Sequence, residues 1–136
     1  MIAAPMPMHS LRVFVTILLL GGLPTLQARG QDAAAHKAWM DDAGDLQDEL
    51  REQLLAKLGD KAAVTATQLE EVLAKTQAYW AEKHADDIVK IARESRTLAT
   101  AVATAAKAGN LAQATEASAK MNAHCSACHD LHPEKR

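Results

Sequence analysis

The sequence predicts an all-α fold, an antiparallel four-helix bundle, and three observations carry that expectation. Apolar residues between positions 33 and 131 recur by threes and fours, the spacing of one helix face, with no convincing strand-like alternation. The four prolines are Pro5, Pro7, Pro24 and Pro133, so none interrupts that stretch. Breaks at Gly59-Asp60, near His84 and at Gly109-Asn110 divide it into four segments joined by short turns, the pattern of an up-and-down bundle.

The first helix is expected over 33–58, with Trp39, Met40, Ala43, Leu46, Leu50, Leu54, Leu55 and Leu58 on its inner face. Gly59-Asp60 ends it and opens the second, over 61–80, whose inner face is Val64, Leu69, Val72, Leu73 and Trp80. Thr67-Gln68-Leu69-Glu70 resembles a capping box, which would start this helix later. The third helix spans 85–108, with Ile88, Ile91, Ala92, Leu98, Ala99 and Val102 apolar. Gly109 suits the left-handed residue that closes a helix, and Asn110 suits the N-cap of the next. The fourth helix spans 111–131, with Ala114, Ala117, Ser118, Met121, Cys125 and Cys128 in period, and Pro133 stops it. The alternative is a three-helix bundle in which the second and third helices merge through His84.

Residues 1–30 read as a secretory signal peptide. Arg12 precedes the apolar run Val13-Phe14-Val15-Thr16-Ile17-Leu18-Leu19-Leu20, and Gly21-Gly22-Leu23-Pro24 follows it. The run is short for a membrane span. Small residues at Ala28 and Gly30 place cleavage before Gln31, with cleavage after Ala28 as second choice and an uncleaved anchor as the alternative. Residues 31–136 are then one small domain, exported to the periplasm. The full chain has 15 basic and 17 acidic residues, a formal charge of −2; removing Arg12 and Arg29 makes it −4. No basic patch points to nucleic acid.

About a quarter of residues 31–136 are alanine, and Trp39, Tyr79 and Trp80 are their only aromatic residues. Alanine favours helix but supplies little apolar area. Such a domain is short of side-chain core, and a large buried apolar group would make up the deficit.

The segment Cys125-Ser126-Ala127-Cys128-His129 reads C-x-x-C-H, the attachment signature of a c-type haem. Two thiols must reach two vinyl groups of one porphyrin, and the next residue must offer an imidazole to the iron from the same side. On a helix, residues three and four apart share a face, so Cys125, Cys128 and His129 converge. Two other readings stay open. A thiol–disulfide redox pair sits at a helix N-terminus near a βαβ unit, and these cysteines come late in a helix. A structural zinc site needs a fourth ligand, for which His124 and His132 are the nearest candidates.

Carried on the last helix, this motif resembles that of the class II c-type cytochromes, the cytochrome c′ family, over residues 33–136. Ala106-Lys107-Ala108-Gly109-Asn110-Leu111 is similar too, as is the segment from Ala78-Tyr79-Trp80 to Asp87-Ile88-Val89. The resemblance implies one haem c bound covalently through Cys125 and Cys128, with His129 as proximal iron ligand. Met40 matches the place from which Met-ligated members take the distal ligand; the other reading makes it a core filler. His36, one turn earlier, allows bis-His ligation, although an exposed position near the mature terminus is expected for it. Met121, His84 and His124 are expected to be a core residue and two surface residues. The family often places an arginine for a haem propionate soon after the motif. Here His132-Pro133 intervenes, and only Lys135 and Arg136 follow.

The resemblance implies an electron carrier rather than an enzyme, working with redox partner proteins and capable of dimerising through its first two helices. The alternative is a five-coordinate NO- or CO-binding protein with an open distal face. Met40 separates the two, because methionine ligation completes the iron and raises its potential.

Overall fold

A computed structural model describes the backbone of residues 25–133 and the side chains of residues 33–133. Most of the expected signal peptide, together with Lys135 and Arg136, lies outside the described residues. The chain forms four helices, α1 (Thr25–Leu55), α2 (Gly59–Glu82), α3 (Asp86–Lys107) and α4 (Leu111–Leu131), and no strand among the described residues. The short turns make successive helices neighbours, an arrangement consistent with a four-helix bundle. α2 and α3 pack most extensively, α3 with α4 and α1 with α2 follow, and α1 meets α4 only sparsely. α1 starts eight residues before its expected start and continues through the expected cleavage region. Among the described residues no helix is long and apolar enough to cross a membrane.

All three turns have the same construction. Lys57, His84 and Gly109 adopt left-handed backbone, with φ of 59°, 56° and 74°. In each turn the following amide donates five residues back: Leu58 to Gln53, Ala85 to Trp80, Asn110 to Ala105. The left-handed residue itself donates three back, which is the Schellman closure of a helix C-terminus. The turn at His84 keeps α2 and α3 apart, so the bundle has four helices and not three. Asn110 then caps α4, its side chain accepting from the Gln113 amide at 3.2 Å.

The core is narrow and built from small residues. Leu50, Leu69, Val102 and Met121 are its large fully buried members, and alanines fill most of the rest. Met121 is thus the core residue expected of it. Gly59 allows the start of α2 to press against α3, since a Cβ there would lie 2.8 Å from the Ala106 carbonyl oxygen. That close approach turns Ala62, Ala63 and Ala66 inward and leaves Val64, expected inside, 60% exposed. Leu55 and Leu58 are also exposed, because the chain has left the inner face by the end of α1. Thr67 caps nothing; it lies inside α2 and its hydroxyl donates to the Ala63 carbonyl at 3.0 Å.

Candidate functional site

A cavity of about 360 Å3 opens at the end of the bundle lined by the middle of α1, the ends of α2 and α4 and the start of α3. Its size is that of a small-molecule or cofactor pocket. From α1 it receives His36, Met40, Ala43, Gly44 and Gln47, spaced as one helix face. From α4 it receives Asn122, Cys125, Ser126, Cys128 and His129 by the same logic. Leu73, Ile88, Ile91 and Ala92 are among its apolar lining. Met40, Cys125, Cys128 and His129, the four residues singled out by sequence, all line this one cavity, from two helices that otherwise scarcely meet.

The two cysteines are free thiols. The Gln47 amide donates to Cys125 Sγ at 3.6 Å, a link between α1 and α4. Burial, with a smaller effect from the neighbouring Cys128, pushes the Cys125 thiol up to about 11. Burial and then the Asp87 carboxylate raise Cys128 as well. Redox-active thiols need the opposite, a pKa lowered by a helix N-terminus or a nearby cation. These thiols sit in the last third of α4 and are held protonated.

His36 is not the exposed residue expected near the terminus. It is buried, 8% exposed, and stacks on Tyr79 with ring centres 4.4 Å apart. The Trp80 indole N–H donates to its Nε2 at 3.0 Å. Burial first, then Lys83 and His129, lower its pKa, so the ring is neutral near pH 7 with its proton on Nδ1. Helix spacing from Met40 carried the signal for this burial, but the stacked ring of Tyr79 and the indole donor of Trp80 come from another helix.

His132 and His124 face carboxylates on α3. His132 Nε2 lies 2.8 Å from Asp87 Oδ2, and His124 Nδ1 lies 3.6 Å from Glu94 Oε2. His124 is half-buried, whereas His84 is exposed as expected. Among the described residues no group of three or more His, Cys, Asp or Glu side chains is gathered as a metal cage.

Gln47, Asn122 and Ser95 are cavity residues that sequence reasoning passed over. Asn122 Oδ1 is buried and has no hydrogen-bond partner. Such an acceptor on a cavity wall is costly unless an occupant or a water supplies a donor. Comparison with protein-family models, with curated proteins and with solved structures gives no match.

Proposed function

We propose that this chain is a c-type electron-transfer protein of the class II type, exported to the periplasm. In this reading Cys125 and Cys128 hold one haem covalently, His129 is its proximal ligand and Met40 its distal ligand. The observation that carries the reading is the convergence of these four side chains on one cavity, Met40 from α1 and the other three from α4. The residues present fit the group. Two thiols and an imidazole share the α4 wall, much of the remaining lining is apolar, and the alanine-built core leaves room that side chains do not fill.

When bound, the haem supplies a one-electron iron couple. The chain's own residues do the rest. The α4 backbone fixes the order Cys125, Cys128, His129 along one face. Leu73, Ile88, Ile91 and Ala92 exclude water, which favours a soft thioether over a solvent ligand and raises the reduction potential. His36 is a poorer distal ligand than Met40, because its Nε2 already accepts from Trp80 and its Nδ1 carries the proton. The raised thiol pKa of Cys125 and Cys128 speaks against a thiol–disulfide function.

The test is the mass of the exported protein after acidic acetone extraction, with its visible spectrum. The expected result is the processed chain plus one haem, low-spin in the ferric state, with a far-red sulfur–iron band. Loss of all haem on extraction would overturn the proposal.

A further inference from the structure

Three glycines stand where side chains are described, and two have evident reasons. Gly109 occupies left-handed backbone, and Gly59 allows the Ala106 carbonyl to approach. Gly44 has neither reason. It lies in the middle of α1, where a Cβ would meet no heavy atom within 4 Å. Glycine is among the poorest helix formers and alanine is the best. In a chain so rich in alanine, with Ala43 beside it, a bare position in mid-helix weakens α1 with no gain in packing.

The bare position is on the cavity wall. Gly44 lines the cavity one turn after Met40, between Met40 and Gln47 on the same face. We infer that Gly44 is a specificity-determining residue of this site. It keeps one turn of the α1 wall free of side chain, so that a flat, rigid macrocycle fits against the helix without forcing α1 and Met40 away. The inference rests on the proposed function and adds to it the shape of the occupant that the distal wall accepts. Its signature is a difference of sign. In the haem-free chain a methyl at position 44 touches nothing and improves the helix. In the loaded protein the same methyl meets the occupant.

The test compares Gly44→Ala and Gly44→Leu with the wild type, as the processed chain, both haem-free and haem-loaded. In the haem-free chain Gly44→Ala should raise the thermal midpoint by roughly 4–8 °C, the effect of removing one interior glycine from a domain of this size. After production with haem attachment, the same variant should show less haem per chain by mass and a weakened or shifted far-red sulfur–iron band. Gly44→Leu should show both losses more strongly. Equal stabilisation of both forms, with haem content and spectrum unchanged, would overturn the inference while leaving the haem reading in place. A lower midpoint for haem-free Gly44→Ala would also overturn it, because the glycine would then be held by packing. A wild type without covalent haem would overturn both, and it would do so before any variant is compared.

Discussion

Alkylation of Cys125 separates a buried thioether-forming thiol from a redox-active one. Burial places this thiol at about 11, against an ordinary value of 9.0. At pH 8 an ordinary thiol is about 10% thiolate, and one at 11 is about 0.1%, so the reactive form falls roughly 100-fold. In the haem-free chain with both cysteines present, iodoacetamide should therefore modify Cys125 about 100-fold more slowly in the folded state than in urea, read at Cys125 by peptide mass spectrometry of quenched samples. The same shift links to stability. The folded chain keeps its proton between pH 9 and 11 while the unfolded chain gives it up, so stability falls as pH rises through that window. The loss is at most roughly 3 kcal/mol, and Cys125→Ser should remove it from the alkaline denaturation profile. Equal alkylation rates in the folded and unfolded chains, or identical alkaline profiles with and without Cys125, would refute the argument. Faster reaction in the folded chain would move the pair to thiol–disulfide chemistry.

Met40→Ala in the haem-loaded protein should abolish the far-red band, convert much of the iron to high spin, lower the potential and open the site to CO. An unchanged low-spin spectrum would point to another distal ligand, and a wild type already high-spin would favour the gas-binding alternative. His36, whose pKa is lowered in the folded state, should make the haem-free chain less stable as pH falls below about 6.5, because the unfolded chain takes up that proton first. Thermal midpoints at pH 7.5, 6.5 and 5.5 should show a smaller acid loss in His36→Gln than in wild type; equal losses would refute the assignment.

The helices were legible because their periodicity is local. The α3 and α4 boundaries agree with expectation to within a residue, and Gly109 and Asn110 announced their turn by residue type alone. The other two turns have the same geometry but place Lys57 and His84 in the left-handed residue, a conformation that costs about 1–2 kcal/mol outside glycine and is chosen by the packing on either side. The outward turn of Val64 depends on the clearance between Gly59 and Ala106, residues 47 apart in sequence. The shared placement of Cys125, Cys128 and His129 on one cavity wall was legible, because it follows a fixed helical spacing. Placement was not legible at His36, where Tyr79 and Trp80 decide burial and tautomer, or at Asn122, whose acceptor is orphaned only once four helices surround it.

The thin seam between α1 and α4 ties the integrity of the first helix to whatever fills the cavity. Along residues 36–47, much of the inner face of α1 looks into the cavity, and it is held there by the rings of Tyr79 and Trp80, by the amide of Gln47 and by the packing of Trp39, Ala43 and Leu46 on the core. On the proposed reading, a haem bonded to α4 and gripped by α1 would act as the missing layer of the bundle. It binds the closed arrangement alone, so its binding free energy is added to the cohesion of the first helix with the last. Without it, α1 is held chiefly through α2, and its sparse contact with α4 makes parting from α4 the cheaper local event. Filling the cavity would therefore join the first helix to the last and bring α1 into the cooperative unit.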